Sequence, residues 1–324
     1  MIIFAPSLIN IYMKRTLSLF LLLLLASCAS APIVPTPQLP TAAVATATLI
    51  RYEPTFTIPT PSPTSTPVVC DPFRTDFCIT DGNFIFRRPI KAPDNTFIDP
   101  TYAYASTANG TRDPHHGVEF LNAFGTPVYA AGDGVVLFAG VDAEAVYSPW
   151  PNYYGNVVVL KHADDLYTVY AHLSKIDVET GQAVSTGDLL GEVGQSGVAV
   201  GPHLHFEVRR GNVGDYFATQ NPELWLFPNK ERGVVQISIQ EESGRLIKYV
   251  EYVLEYLSAT EKKDEKTFFG ITYSADMQRG DENAVMGDLN PGKYRIAFKY
   301  NGQLYEQHIE VESGKLTQVV FVVK

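Results

Sequence analysis

The stretch His203-Leu204-His205-Phe206-Glu207-Val208 alternates polar and apolar side chains. Successive side chains of a β-strand point to opposite faces of the sheet, so His203, His205 and Glu207 share one face while the apolar residues share the other. The stretch therefore predicts a strand that buries its apolar face and holds two imidazoles and a carboxylate together on the opposite face.

Short apolar segments of the same kind, separated by Gly and Pro, occur upstream of this strand. They are Gly117–Phe120, Pro127–Ala130, Gly134–Phe138, Asn156–Leu160 and Tyr167–Ala171. Runs with a helical period are scarce, and the chain contains 24 Gly and 22 Pro, which supply turns. Residues 111–230 are therefore predicted to form a domain built on antiparallel sheet.

A second group of strand-like segments begins near Gly233. It comprises Val234–Ile239, Tyr294–Phe298 and Thr317–Val323. These segments resemble a small prealbumin-like or carboxypeptidase-regulatory-type β-sandwich, so residues 231–324 are predicted to form such a domain. Its His308 has no accompanying His, Asp or Cys cluster and is assigned no chemistry. The predicted fold class is mainly β, with an antiparallel-sheet domain followed by a small β-sandwich.

The N-terminal residues have the pattern of an export signal. Lys14 and Arg15 precede an apolar run over residues 17–25, and the sequence then reads Leu25-Ala26-Ser27-Cys28. The apolar run is short for a membrane span, whereas its length suits a secretory signal. The last four residues resemble the lipobox of bacterial lipoproteins. That resemblance implies a signal peptide over residues 1–28, lipidation of Cys28, and an extracytoplasmic protein anchored by lipid in the cell envelope.

Two further features of the N-terminal part bear on this reading. Met13 begins a compact signal of its own, so either Met1 or Met13 is the start of the protein. Residues 29–69 hold nine prolines and many Thr and Ala, a composition that has little to bury and predicts an extended tether.

The three cysteines fit an exported chain. If Cys28 carries lipid, Cys70 and Cys78 remain, and in an oxidising compartment such a pair closes a small loop through a disulfide. The alternatives are two free thiols or half of a metal site, for which the sequence offers no further Cys. Residues 70–110, which contain this pair, are predicted to form an irregular lead-in that packs on the next domain.

Length and charge limit the function. A chain of 324 residues suits two modest domains plus additional segments. Its formal charge of -10 argues against a nucleic acid partner, because neutralising phosphates requires a basic surface.

The stretch His115-His116-Gly117-Val118-Glu119 carries the second half of a constellation. In a strand, His115 and Glu119 point to the same side, and Gly117 between them leaves room. If this strand neighbours the one at 203–208, two or three imidazoles and one carboxylate converge. Three nitrogen and oxygen ligands with one position left for water are typical of a catalytic zinc site.

Several motifs between residues 110 and 211 resemble the lysostaphin-type murein endopeptidases in order and spacing. The motifs are Arg112-Asp113-Pro114-His115-His116-Gly117-Val118-Glu119, Gly125-Thr126-Pro127-Val128-Tyr129-Ala130, Tyr170-Ala171-His172-Leu173-Ser174, Gly181-Gln182-Ala183-Val184, and Gly201-Pro202-His203-Leu204-His205-Phe206-Glu207. The resemblance covers about a third of the chain. It implies a zinc peptidase that hydrolyses the peptide part of peptidoglycan.

The resemblance also implies a role for each matching residue. His115, Glu119 and His205 correspond to the zinc ligands of the family. His172 and His203 correspond to the two histidines beside the open coordination position, where they handle the water and the developing oxyanion.

One position departs from the family pattern, because Glu119 stands where the family usually has Asp. Its extra methylene moves the carboxylate outward by about one bond, and family members that lose ligands act as activators or scaffolds. Two readings follow: an active zinc endopeptidase that cuts peptidoglycan cross-links, or an inactive member that binds the wall or activates another hydrolase. The residues 231–324 could serve an envelope protein partner in either case.

The remaining polar residues near the motifs receive weaker assignments. His116 is expected to flank the site without a direct role, and His162 is expected to be structural. Glu207 is open between two roles, a hydrogen bond to a ligand histidine and a simple salt bridge.

Overall fold

The computed structural model describes residues 70–324 with the exception of 109, 258–266, 275–276 and 278–279. The predicted signal peptide at 1–28, the lipidation at Cys28 and the linker at 29–69 lie outside the described residues. Within the described part, no helix has the length and apolarity that crossing a membrane would require.

The described residues form seventeen strands and two short 3₁₀ helices. The strands are β1 (Cys78–Thr80), β2 (Val118–Leu121), β3 (Pro127–Tyr129), β4 (Gly134–Val141), β5 (Asn156–Lys161), β6 (Leu166–Ile176), β7 (Ala183–Val184), β8 (Leu189–Val193), β9 (His203–Arg210), β10 (Thr219–Gln220), β11 (Gly233–Glu241), β12 (Glu251–Tyr256), β13 (Thr267–Ile271), β14 (Ala284–Leu289), β15 (Gly292–Tyr300), β16 (Gln303–Val311) and β17 (Leu316–Val323). The 3₁₀ helices are Pro100–Tyr102 and Pro222–Leu224.

Strands β2 to β10 make up one nine-stranded antiparallel sheet system. Its main path runs β10-β9-β6-β5-β4-β7, with β2 beside β9, and with β8 pairing both β3 and β6. Each strand segment that the sequence predicts between residues 111 and 230 is present. The predicted mainly β fold with antiparallel sheet is confirmed.

Strand β9 at the centre of this system is buried on both faces. Its apolar side chains Leu204, Phe206 and Val208 enter the main core. The opposite face, which carries the polar side chains of the strand, is covered by loops rather than by water. Two-sided burial of a polar face is costly unless every polar atom finds a partner, so this face is where chemistry is expected.

The C-terminal strands, together with β1 from the lead-in segment, form two four-stranded sheets, β1-β17-β11-β14 and β13-β12-β15-β16. Apolar side chains of both sheets, among them Val235, Ile237, Leu254 and Ile296, form a single core between them. The pairing of β11 with β17 is parallel, whereas the other strand pairs in the described residues are antiparallel. The two sheets pack face to face as a β-sandwich.

The lead-in segment differs from its predicted role because it serves both domains. Phe84, Phe86 and Ile90 join the main core of the first domain. By contrast, β1 pairs with β17 and becomes an edge strand of the sandwich. Cys70 and Cys78 form a disulfide, with their Cα atoms 5.7 Å apart, and so close a loop at that edge. Long-range strand pairing of this kind leaves no local signal in a three-residue strand.

Candidate metal centre

The antiparallel pairing of β2 with β9 brings the two halves of the constellation together. Glu119 is directly opposite His205 in the register, and Leu121 is opposite His203. Paired residues of neighbouring strands project to the same face of the sheet. His115, just before β2, adds its side chain to that face. The two strands are therefore neighbours, which is the condition on which the predicted convergence depended.

Three atoms converge at this point. Glu119 Oε1 lies 2.9 Å from His115 Nε2 and 2.9 Å from His205 Nδ1, and the two nitrogens are 3.2 Å apart. The three side chains are 3 to 4% exposed. In a tetrahedral zinc site with bonds of about 2.05 Å, ligand atoms lie about 3.3 Å from one another. The observed separations are close to that spacing.

The hydrogen bonds on the far side of each imidazole fix which nitrogen has the lone pair. His115 Nδ1 donates to the carbonyl oxygen of Tyr102 at 3.0 Å, and His205 Nε2 faces the carboxylate of Glu207 at 2.9 Å. Carbonyl and carboxylate oxygens only accept, so the protons of the neutral rings sit there. His115 Nε2, His205 Nδ1 and Glu119 Oε1 therefore direct lone pairs at one another, an arrangement that a cation completes.

The second carboxylate oxygen of Glu119 is buried and has no hydrogen-bond partner. His203 Nε2 lies 3.3 Å from it without hydrogen-bonding geometry. A buried carboxylate oxygen without a partner is costly. Together with the converging donor atoms, it shows that this set of two imidazoles and one carboxylate suits a bound metal cation such as Zn²⁺.

The charges of neighbouring groups, acting against burial, set the pKa values of His205 and Glu119. Burial would lower the pKa of His205, but the charges of Glu119 and Glu207 raise it to about 10. Without a bound cation His205 therefore carries a second proton, on Nδ1, and a cation that binds there would displace that proton and expose the lone pair. Burial would likewise raise the pKa of Glu119, whereas His205 and His115 hold it well below its usual range. The carboxylate is therefore charged, and the cluster attracts positive charge.

Gly117 is required by the close approach of β2 to β9. A Cβ atom at this position would lie 2.5 Å from the carbonyl oxygen of Phe206 and 2.8 Å from Cε1 of His205. Any side chain would push the two strands apart, so the glycine predicted to leave room between His115 and Glu119 does so against β9.

His172 reaches the centre through a local break in strand β6. Ala171 pairs with His205, so regular alternation would turn the next side chain to the opposite face. However, His172 has a φ of 62°, a conformation that residues other than glycine rarely adopt, and its ring centroid lies 4.9 Å from that of His203. The strained backbone brings His172 to the metal side of the sheet.

Both accessory histidines are held in the same tautomer. His172 Nδ1 donates to the carbonyl of Ser196 at 2.8 Å, and His203 Nδ1 donates to the carbonyl of Gly201 at 2.9 Å. The Nε2 lone pairs are thus free on the other side of each ring. Burial, with help from the nearby His205 and His203, lowers the pKa of His172 to about 4, which keeps this imidazole neutral at ordinary pH.

The other histidines in the first domain lie outside the centre, as expected. His116 Nδ1 donates to the carbonyl of Tyr216 at 2.8 Å, and its ring stacks on Tyr216 at 3.8 Å. His162 bonds Asp133 and Thr168 and packs against Phe86. In the second domain, His308 is exposed on β16.

Tyr102 is a member of the site that sequence reasoning missed. Its ring stacks on His115 with centroids 3.7 Å apart, and its carbonyl fixes the His115 tautomer. Arg112 lies over the outer face of the same ring at 3.6 Å. Tyr102 belongs to the irregular lead-in, where no periodic pattern marks it, so only the fold reveals its position.

Comparison with known proteins supplies the family. Residues 113–217, which contain all five predicted site histidines and acids, match the model of peptidase family M23. The chain contains a peptidase family M23 domain. This finding confirms the resemblance to lysostaphin-type enzymes, whereas Cys28 and residues 231–324 lie outside the matched segment.

Among similar proteins, the peptidoglycan DD-endopeptidase ShyA of Vibrio cholerae is 40% identical over 119 residues, which are 36% of this chain and 26% of the relative. The DD-carboxypeptidase/endopeptidase Mpg of Neisseria meningitidis is 40% identical over 95 residues, 29% of this chain and 20% of the relative. The chain thus spans about a quarter or less of the length of these relatives.

Among solved structures, a variant catalytic domain of the prophage-encoded M23 protein EnpA from Enterococcus faecalis is similar. It shares 28% sequence identity, with a TM-score of 0.36, and the match covers 42% of this chain and 95% of that domain.

Proposed function

We propose that this protein is a zinc-dependent endopeptidase that hydrolyses peptide cross-links of peptidoglycan. The observation that carries the proposal is the convergence of His115 Nε2, Glu119 Oε1 and His205 Nδ1 within 3.2 Å, with their lone pairs directed at one another. The substrate class is taken from the M23 domain and from the similar peptidoglycan endopeptidases.

The chain's own residues supply the rest of the mechanism. Bound Zn²⁺ would lower the pKa of a water and polarise the scissile carbonyl. His203 and His172 present Nε2 lone pairs beside this position, so one of them takes the proton of the attacking water and, as the imidazolium then formed, donates it to the leaving amine. The other donates to the oxyanion only when its Nε2 carries a proton. The carbonyls of Gly201 and Ser196 accept from Nδ1 of the two rings and so leave each Nε2 able to accept a proton.

Glu119 bears on the choice between an enzyme and an inactive scaffold. The extra methylene relative to Asp is accommodated, because its Oε1 lies 2.9 Å from both of the other proposed ligand atoms. This geometry favours the enzyme over the scaffold that binds the wall or activates another hydrolase.

We further propose that the enzyme acts in the cell envelope from a lipid anchor at Cys28, with residues 29–69 as the tether. The signal-like segment and the proline-rich composition support this location. The sandwich at 231–324 is available to bind an envelope protein partner.

The test uses the purified full-length mature chain, in detergent if lipid is attached. We expect one zinc per chain, release of new amino groups from purified sacculi, loss of that release with a chelator, and recovery with Zn²⁺. His308→Ala, on the exposed face of β16, is the matched control and should behave as the parent. A chain that binds zinc but leaves sacculi from several species uncut would support the scaffold. In that case a gain of cleavage in Glu119→Asp would identify the longer side chain as the cause.

A further inference from the structure

A second carboxylate supports His205 from behind. Glu207 Oε1 lies 2.9 Å from His205 Nε2, the nitrogen that does not face Glu119. The other oxygen of Glu207 accepts from Nε of Arg209 at 2.7 Å and lies 2.7 Å from Nη2, and the hydroxyl of Tyr154 donates to Oε1. Both alternatives that the sequence left open for Glu207 therefore hold at once. We call Glu207, Arg209 and Tyr154 the Glu207 network.

Arg209 extends this network into two loops. Its Nη2 donates to the carbonyl of Tyr147 at 2.7 Å, in the loop 142–155 between β4 and β5. Its Nη1 donates to the carbonyl of Val213 at 2.7 Å, in the loop 211–218 between β9 and β10. The first loop carries Tyr154, whose ring centroid lies 5.6 Å from that of His205, and the second carries Tyr216, which stacks on His116 beside the centre. One guanidinium thus connects the support of a proposed metal ligand to two loops that border it.

The burial of the network argues against a purely structural role. Glu207, Arg209 and Tyr154 are 0% exposed, so both charges have been removed from water. Buried ion pairs cost desolvation energy, and apolar residues of similar volume often stabilise a fold as well or better. A fully bonded network nevertheless fixes one arrangement, because every lone pair and proton has a defined partner.

We propose that the Glu207 network positions His205 for metal binding and ties that position to the two loops. Glu207 holds the His205 proton on Nε2, so the Nδ1 lone pair stays directed at Glu119 and His115, and the carboxylate makes the imidazole a better ligand. Arg209 and Tyr154 keep Glu207 from turning away. These are positioning residues, and the inference rests on the metal ligands of the proposed function.

The experiment measures the zinc affinity of the full chain by competition with a chromophoric chelator, together with far-UV circular dichroism of the metal-free protein. Glu207→Gln cannot accept both from Arg209 and from His205, so zinc affinity should fall by about 10- to 100-fold. Tyr154→Phe removes one hydroxyl and leaves both charges paired, so a smaller loss, below about 10-fold, is expected. The visible spectrum of the Co²⁺-loaded protein should shift in both variants.

The control is Thr168→Val, which removes a buried hydroxyl from β6 on the opposite face of the sheet, where it bonds His162 and not the centre. It should keep the zinc affinity of the parent within about twofold. Equal losses in Thr168→Val and Glu207→Gln would overturn the proposal, because general loosening would then explain both.

Three further results of this experiment also support or overturn the proposal. If Glu207→Gln does not fold, Tyr154→Phe carries the test, and parental zinc affinity with an unshifted Co²⁺ spectrum in a folded variant overturns the proposal. A parent chain that binds no zinc overturns it as well. A parent that binds zinc but cuts no peptidoglycan refutes the proposed activity alone, and the order of zinc affinities then stands independently.

Discussion

Two polar groups that contain histidine lie against the same sheet system, and they differ in how the ring nitrogens are hydrogen-bonded. His162 lies 2.8 Å from the carbonyl of Asp133 through Nδ1 and 2.8 Å from the hydroxyl of Thr168 through Nε2. That hydroxyl in turn lies 3.0 Å from the hydroxyl of Tyr170. Each ring nitrogen of His162 thus has a hydrogen-bond partner within the protein. We call such a group closed, because it needs no ligand.

The group of His115, Glu119 and His205 is open in this sense. Three acceptor atoms face one another within 3.2 Å, and the outer oxygen of Glu119 has no partner. The two groups also differ in burial, because His162 is half-buried whereas His115, Glu119 and His205 are almost completely buried. A buried histidine therefore points to chemistry when its lone pair faces other lone pairs, and to structure when it faces a donor.

The largest effect on zinc binding and activity should come from removing the negative charge of Glu119 in the open group. Glu119→Gln keeps the size of the side chain but removes its charge and turns one acceptor into a donor. We expect zinc affinity to fall by more than about 100-fold, beyond the loss typical of outer partners, and cleavage of sacculi to disappear. Zinc competition and amine release measure the two effects. Retained activity in this variant would show that Glu119 is not a metal ligand.

A smaller effect should follow from removing a base beside the open group. His172→Ala should lower kcat on a soluble peptidoglycan peptide by about 10² to 10⁴-fold while zinc affinity stays within about threefold. The separation of the two readouts is the check. If zinc is lost together with activity, His172 belongs to the structure of the centre rather than to the chemical step.

A third polar group, the half-buried carboxylate of Glu223, extends the comparison to the contact between the domains. Glu223 accepts from the backbone N–H of Gly287 at 2.6 Å. Burial, and then the charge of Asp288, raises the pKa of Glu223 from 4.5 to about 7, although Arg88 is near. Arg88 pairs with Asp288 instead, at 2.8 Å. Glu223 therefore resembles the open group in lacking a neutralising partner, and in the folded protein it is neutralised by binding a proton.

The sign of the pH dependence follows from this raised pKa. The folded protein holds a proton on Glu223 that the unfolded chain releases, so the free energy of unfolding falls as pH rises from about 4.5 to about 7 and stays lowered above. Glu223→Gln should be more stable than the parent at pH 8, by up to about 3 kcal/mol, and show no advantage at pH 4.5. Urea unfolding at both pH values measures the difference. A difference of the same size at both would contradict it.

The smallest effect concerns the closed group. Thr168→Val should lower the free energy of unfolding by about 1–2 kcal/mol, because His162 loses a hydrogen-bond partner. Zinc content and cleavage of sacculi should remain those of the parent. A loss of zinc in this variant would show that the two histidine groups are coupled through β6 and β9, and would remove the distinction drawn between them.

Much of the fold could be predicted from local pattern. Alternation with a period of two marks β9 and β11 because one face of each strand enters a core, and Gly and Pro mark the turns between strands. Strand β1 could not be predicted in the same way. It has three residues, and its only structural cue is pairing with β17 more than two hundred residues later.

The candidate site likewise has features that local sequence pattern predicts and features that depend on long-range contacts. By itself, the sequence determined which residue types could bind a metal, and that His203, His205 and Glu207 share one face, because side-chain alternation is local. Only the tertiary structure decided that β2 lies beside β9. It also decided that a positive φ turns His172 out of its regular face and that Tyr102 covers His115. Contacts between residues far apart depend on strand order and loop packing, which no local pattern encodes.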